Sequence, residues 1–110
     1  MIFIETSVFT RRIKELISDD EYKDLQEALV QRPDMGVIIQ GTGGLRKIRW
    51  KLEGKGKSGG VRTIYYWMTE SEHIYMLYVY PKSEQEDLTP EQKKALKLIV
   101  ERWSDEKRNV

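Results

Sequence analysis

The sequence contains no cysteine and only one histidine among its 110 residues. The absence of cysteine excludes a disulfide framework and agrees with a reducing compartment, and one histidine cannot supply a zinc site of the Cys/His kind. Long apolar runs are missing as well: no stretch approaches the roughly 18 apolar residues of a membrane span, and Glu5 interrupts the N-terminus early. We therefore expect a cytoplasmic protein with neither signal peptide nor membrane span, and one that needs no metal or other cofactor.

What the sequence does contain is an uneven distribution of charge. The formal net charge is only +1, yet residues 46–62 carry seven Lys or Arg and one Glu, while the chain on either side is net acidic. A local excess of positive charge suits a polyanion such as nucleic acid. A solvated loop is the ordinary alternative for a short cationic run.

The spacing of apolar residues predicts a strand, a helical hairpin and a second, cationic strand. The segment "IFIE" predicts the first strand, Thr6 or Ser7 caps a helix after it, and the capping-box pair Ser18 and Glu21 opens the next helix. The segment "RKIRWKL" alternates between apolar and charged residues, as half-buried strands do. The predicted core face consists of Ile48, Trp50 and Leu52. The predicted cationic face consists of Lys47, Arg49 and Lys51.

Two later segments, "VRTIYYWMT" and "HIYMLYVY", are rich in β-branched and aromatic residues and predict central strands joined by a short loop. Thr89, Pro90 and Gln92 then provide a cap, a first-turn proline and a capping-box partner for a last helix. The predicted order is βααβββα. This is an α+β fold with a small, mostly antiparallel sheet, an N-terminal helical hairpin and a C-terminal helix, in a single domain over residues 1–110.

Short motifs elsewhere do not fit the structural contexts that they require. The segment "GKGKSG" has the glycines of a dinucleotide site and part of a phosphate-binding loop, but both need a following helix, and a strand is predicted here. We interpret it as a glycine-rich hairpin loop. Glu84, Glu86 and Asp87 have the ligand chemistry of a hard-cation site, but a solvated loop is the better interpretation.

The remaining pattern is a cationic strand beside tyrosines, which is typical of proteins that bind single-stranded RNA. The candidate RNA-binding residues are Arg46, Lys47, Arg49, Lys51, Tyr65 and Tyr66. Cleavage by the ribose 2′-hydroxyl would also need a base for the hydroxyl proton, a cation for the phosphate charge and an acid for the leaving oxygen. Cations alone supply only the second of these.

The segments "QGTGGLRKIRW" and "GKGKSGGVRTIYYW", in this order of elements, resemble the RelE superfamily of toxins from bacterial type II toxin–antitoxin pairs, and within it the HigB-like branch. The resemblance covers nearly the whole chain. It implies a RelE-like fold and a metal-independent, ribosome-dependent endoribonuclease that cleaves mRNA in the ribosomal A site. The implied partners are the 70S ribosome, mRNA and a cognate helix-turn-helix antitoxin that makes the contact with operator DNA, and no membrane is involved.

The resemblance also implies roles for particular residues. Lys47 and Arg49 match the family's basic pair on the first core strand, and Arg62 matches its arginine at the start of the next strand. Ser83 and Thr89 stand where the best-studied members have an arginine and a tyrosine, so the general acid and base stay unassigned. The catalytic candidates are Arg62 together with Lys55, Lys57, Tyr66, Tyr80, Lys82 and Glu84.

Two alternatives stay open at this point, because one fold can carry several functions. A ParE-like toxin has the same fold and binds DNA gyrase, but the cationic residues favour the nuclease. An inactive member of the fold that binds only antitoxin or RNA is favoured by the departures at Ser83 and Thr89.

Overall fold

The structure is a computed structural model that describes residues 1–52 and 60–108, with side chains described up to residue 104. This part of the chain forms three helices and five strands. In chain order they are β1 (Ile2–Glu5), α1 (Ser7–Leu16), α2 (Asp19–Gln31), β2 (Val37–Ile38), β3 (Arg46–Trp50), β4 (Val61–Met68), β5 (His73–Pro81) and α3 (Pro90–Arg108).

The strands form one sheet in the order β1–β5–β4–β3–β2. Strand β1 runs parallel to β5, and the other three neighbouring pairs are antiparallel. The predicted α+β fold with a mostly antiparallel sheet is therefore confirmed. Strand β2 is an addition to the predicted order: its residues Val37 and Ile38 are 73% and 52% exposed, so they show no alternation of buried and exposed positions.

Each helix begins at a residue that the sequence predicts as its cap. The Thr6 hydroxyl accepts a hydrogen bond of 3.0 Å from the first turn of α1, and Ser18 and Glu21 form a complete capping box at α2. Thr89 and Gln92 form the same reciprocal pair at α3, with hydrogen bonds of 2.9 and 3.1 Å. Caps of this kind typically contribute about 1 kcal/mol each, so these residues fix where the helices start.

The sheet is covered on both faces, and each face has its own hydrophobic core. Helices α1 and α2 cover one face through residues such as Phe9, Leu25 and Leu29. Helix α3 covers the other face through Leu96 and Val100. We call these the α1–α2 face and the α3 face. Among the described residues, no helix has the length and apolar character needed to cross a membrane.

Alternation along β3 decides where its cations lie. Ile48 packs in the core of the α1–α2 face, so Arg46, two residues away, shares that face. Lys47 and Arg49 lie on the α3 face. This separation agrees with the predicted cationic face of the strand, and it places Arg46, a candidate RNA-binding residue, on the opposite face.

Candidate nucleic-acid interface

Three cations from neighbouring strands lie together on the α3 face. In the register of the sheet, Arg49 of β3 is paired with Arg62 of β4, which is paired in turn with Tyr80 of β5. Directly paired residues have Cβ atoms about 5 Å apart, so these three side chains form a row across the strands. Lys47 lies two residues before Arg49 on the same face of β3. We call Lys47, Arg49 and Arg62 the cation cluster.

Arg62 is the most buried member of the cation cluster. Its side chain is 7% exposed, and within the described part of the chain its Nε has no hydrogen-bond partner. The backbone passes close to it at Gly60, where an added Cβ would lie 3.3 Å from the Trp50 carbonyl oxygen and 3.8 Å from Nη1 of Arg62. An unpaired buried donor costs about 1–3 kcal/mol or more when charged, so an incoming anionic oxygen would be stabilised here.

Two acidic residues between β5 and α3 cover the cation cluster. Oε1 of Glu86 lies 3.5 Å from Nη2 of Arg62 and 3.8 Å from Nη2 of Arg49. Oδ1 of Asp87 lies 2.5 Å from Nζ of Lys47, and the hydrogen bond and charge of that ammonium lower the pKa of the Asp87 carboxyl. Each member of the cation cluster therefore faces a carboxylate.

Glu84, Glu86 and Asp87 lie in an exposed loop, as the sequence predicts, and each of the three carboxylates is also paired with a cation. Glu84 pairs with Arg12 of α1, and it does not take part in covering the cation cluster. Sequence reasoning did not identify Glu86 or Asp87 as residues of the site. One sequence feature relates these two residues to the site: they belong to an acidic segment, and the cations belong to a segment of opposite charge. Lys47 and Asp87, which pair across the two segments, are 40 residues apart in the sequence.

Tyr80 completes the row beneath these acidic residues. Its side chain is fully buried, and its hydroxyl donates a long hydrogen bond of 3.4 Å to the backbone oxygen of Glu86. Burial, followed by the negative charge of Asp87, raises the pKa of the Tyr80 hydroxyl to about 12. The hydroxyl keeps its proton at neutral pH, so its chemistry is that of a general acid rather than a general base.

Two predicted RNA-binding residues lie on the opposite face of the sheet, and for them the prediction is corrected. The Tyr65 hydroxyl donates to the Pro33 carbonyl at 2.7 Å and accepts from the Gly36 N–H at 2.9 Å. Tyr65 is fully buried, which raises its pKa and leaves no surface on which a base could stack. Nη1 of Arg46 donates to the carbonyls of Asp34 and Gly36, at 3.1 and 2.8 Å, so this guanidinium secures the chain before β2.

A family model described as the RelE toxin of the RelE / RelB toxin-antitoxin system matches residues 1–109. The chain belongs to the RelE toxin family. A solved structure of E. coli toxin RelE, an arginine-to-alanine double mutant in the free state, matches with a TM-score of 0.57 and 17% identity over 77% of this chain and 86% of that chain. The intact E. coli RelBE toxin–antitoxin complex matches with a TM-score of 0.55 and 17% identity over 71% of this chain and 92% of that chain.

The family match confirms the resemblance to RelE that the sequence suggests. At 17% identity the two solved structures show that the fold is shared. Assignment to the HigB-like branch stays a prediction.

Glu84, one of the catalytic candidates, is held by Arg12 of α1. Nη2 of Arg12 donates to both carboxylate oxygens of Glu84, at 3.0 and 2.8 Å, and the same guanidinium lies 4.9 Å from the centre of the Tyr78 ring. Nε of Arg12 donates to the Val79 carbonyl at 2.7 Å. Glu84 is thus held against α1. Among the described residues, no group of three acidic or histidine side chains is placed to hold a metal ion.

The other candidates differ in how the structure places them. Lys51 and Lys82 are exposed directly after β3 and β5, and the Lys82 N–H donates to the Gly60 carbonyl at 3.1 Å, next to the strand that carries Arg62. Tyr66 is half-buried on the α3 face, where its ring lies 6.4 Å from that of Tyr75. Two catalytic candidates lie outside the described residues: Lys55 and Lys57.

The two departures from the family pattern have different surroundings. Thr89 is the cap of α3, and its hydroxyl accepts from the Gln92 N–H at 3.1 Å. Ser83 is an exposed residue in the turn after β5. A threonine at position 89 is therefore explained by helix capping, without reference to catalysis.

Proposed function

We propose that this RelE-family toxin is a ribosome-dependent endoribonuclease that cleaves mRNA in the ribosomal A site and so stops translation. The observation that carries the proposal is the buried Arg62 guanidinium, whose Nε is unpaired within the described chain, in a row with Arg49 and Tyr80. A phosphate oxygen in the place of the Glu86 carboxylate would lie beside the guanidinium of Arg62. It would also place the scissile phosphate between two guanidinium groups, which bind phosphate through paired N–H donors.

Each side chain in the row has a chemical role in the proposed reaction. The ribose 2′-oxygen attacks the adjacent phosphorus, the bond to the 5′-oxygen breaks, and the products carry a 2′,3′-cyclic phosphate and a 5′-hydroxyl. Arg62 and Arg49 stabilise the negative charge that develops on the phosphoryl oxygens. Tyr80, with a pKa of about 12, gives its proton to the leaving 5′-oxygen.

A separate group must take the proton of the 2′-hydroxyl. Glu84 is held by Arg12, so we assign this role to one of three lysines that the sequence offers. They are Lys55, Lys57 and Lys82. In the sequence, Lys55 and Lys57 lie within a cationic segment, and neighbouring cations favour the uncharged form of a lysine, which is the form that accepts a proton.

The partners follow from the same proposal. Family membership and the shared fold with the RelBE complex support a cognate antitoxin as the inhibitor of this toxin. We propose a helix-turn-helix antitoxin that alone contacts operator DNA. The targets are the 70S ribosome and its mRNA, which places the activity in the cytoplasm and away from membranes.

Primer extension on mRNA taken from ribosomes incubated with the purified protein tests the proposal. We expect cuts within codons, in register with the reading frame, and an intact message when the same mRNA is supplied without ribosomes. An intact message on ribosomes would reject the nuclease. In that case a gyrase supercoiling assay separates the remaining alternatives, because a ParE-like toxin inhibits gyrase and an inactive binder does not.

A further inference from the structure

The carboxylates over the cation cluster indicate how the site selects its ligand. We infer that Glu86 and Asp87 occupy the places of two successive phosphates, and that they make the site selective for a nucleic acid that brings at least two adjacent phosphates. The inference rests on the proposed function and names the feature of the RNA that the site recognises.

The cations and the carboxylates of these ion pairs differ in how much of each side chain is exposed to solvent. The side chains of Arg62 and Lys47 are 7% and 15% exposed and belong to strands of the sheet, whereas Glu86 and Asp87 are 59% and 66% exposed and lie between elements. The carboxylates can turn into solvent, whereas Arg62 and Lys47 are held in the sheet; Arg49 is 63% exposed. Because the carboxylate of each pair is exposed to solvent, incoming phosphates can displace it.

Glu86 is an incomplete substitute for a phosphate. Its contacts of 3.5 Å with Arg62 and 3.8 Å with Arg49 are longer than the ~2.8 Å of a good charge-assisted hydrogen bond. Nε of Arg62 also stays unpaired in the described chain. A phosphodiester also carries two anionic oxygens, and unlike the tethered Glu86 carboxylate it can approach both guanidinium groups to hydrogen-bond distance, so exchange favours the nucleic acid.

The two carboxylates divide the cations between them. Glu86 faces the two guanidinium groups and Asp87 faces the ammonium of Lys47, so two linked anions meet two separate cationic positions. Successive phosphates of one strand are linked in the same way. A ligand with one phosphate displaces one carboxylate and leaves the other beside it as a repelling like charge, whereas a ligand with two phosphates displaces both.

The displaced carboxylates stay close to the site. Between them and Glu84, Gln85 donates from Nε2 to the Gln92 side-chain oxygen at 2.8 Å and to the Asp87 carbonyl at 2.9 Å. These bonds fix the acidic segment to the first turn of α3. Glu86 and Asp87 therefore compete with every ligand, and weakly charged ligands are excluded.

The test measures binding of an uncleavable RNA, so it does not depend on catalysis. The probe is a labelled single strand of about 12 nucleotides with every 2′-hydroxyl methylated, and fluorescence anisotropy is recorded at several salt concentrations. The Glu86→Gln/Asp87→Asn variant should bind at least tenfold more tightly than the wild type. Its salt slope should be steeper by about 1.4, since about 0.7 counterion is released for each added phosphate contact on a single strand.

A charge-matched control separates local exchange from a general increase in positive charge. Asp24 and Glu27 are exposed on α2, which covers the other face of the sheet. The Asp24→Asn/Glu27→Gln variant should change the affinity less than threefold. A second experiment compares a trinucleotide, which has two phosphates, with a dinucleotide, which has one. The wild type should bind the trinucleotide more tightly, and the ratio of the two affinities should be at least threefold smaller in the Glu86→Gln/Asp87→Asn variant.

Unchanged or weaker binding by the Glu86→Gln/Asp87→Asn variant would overturn the inference, as would an equal gain in the control. Circular dichroism shows whether the double variant folds, and Glu86→Gln alone, which keeps the bond between Lys47 and Asp87, should show about half of the effect on the salt slope. If ribosome-bound mRNA stays intact while the variant still gains affinity, the nuclease fails and the inference stands. If mRNA is cut but affinity does not change, the inference fails alone.

Discussion

At the scale of single residues, tyrosines of adjacent strands take different roles because they lie on different faces of the sheet. Tyr65 packs in the α1–α2 face and bonds two backbone groups before β2. Tyr80 lies on the α3 face, beside Arg62 and beneath Glu86. Of these two tyrosines, Tyr80 has its hydroxyl near the cation cluster, which is why the proposed mechanism uses it as the proton donor.

The raised pKa of Tyr80 predicts a pH dependence of stability. An unfolded tyrosine loses its proton near pH 10, whereas Tyr80 in the folded protein keeps it to about pH 12. The stability from this difference is complete below pH 10 and is lost as the pH rises to about 12, because the unfolded chain binds fewer protons in that interval. For the fully buried Tyr80 this amounts to about 2–3 kcal/mol in the free energy of unfolding.

Urea unfolding of the wild type and the Tyr80→Phe variant, at pH 8 and at steps between pH 10 and 12, checks this prediction. The variant should lose less stability over that interval than the wild type, by about the amount given above. Parallel curves for the two proteins would show that Tyr80 titrates as it does in an unfolded chain.

The faces of β3 could be predicted from the sequence because the side-chain period of a strand is two. Alternation around Ile48 places Lys47 and Arg49 on one face, and the structure confirms it. The same alternation places Arg46 on the other face, so including it among the RNA-binding residues followed from composition and not from geometry. The closure of Glu86 and Asp87 over the cations could not be predicted, because it depends on how two distant segments pack.

At the scale of elements, the pairing of β4 with β5 shows a second limit of sequence reasoning. Ile64 pairs with Tyr78 and Tyr65 with Met76, so Leu77 is the extra residue of a bulge. Strict alternation along β5 would place Tyr75 and Tyr80 on opposite faces, but both pack in the core beneath α3. A bulge of one residue leaves no mark in the pattern of apolar residues, and here it brings Tyr80 to the α3 face.

The start of α3 gives a prediction at this scale. Thr89→Ala should lower the free energy of unfolding by about 1 kcal/mol, because it removes the oxygen that accepts from the Gln92 N–H. Thr89→Ser keeps that oxygen and is the matched control, with little expected change. Chemical unfolding of the three proteins at neutral pH provides the measurement, and an equal loss in both variants would contradict the role of Thr89 as a cap.

At the scale of the whole molecule, the uneven charge of the sequence is balanced within the fold. Cations of β3 and β4 form one surface of the sheet, and the acidic residues before α3 lie over them. The net charge of +1 thus conceals a site whose cations are already paired. In the proposed function, RNA phosphates replace those carboxylates, and the sheet holds the guanidinium groups in position for the reaction.

The central claim is that Arg62 stabilises the charge on the scissile phosphate. Its most direct test is the single-turnover rate of cleavage of ribosome-bound mRNA by the wild type, by Arg62→Ala and by Arg46→Ala, whose guanidinium bonds backbone carbonyls on the opposite face. Loss of one such donor typically costs a factor of about 100–1,000 in rate, so Arg62→Ala should be slower by at least that lower figure while remaining folded. Arg46→Ala should cut within about threefold of the wild-type rate, taken at a temperature where it stays folded. Equal rates for the wild type and Arg62→Ala would contradict the account.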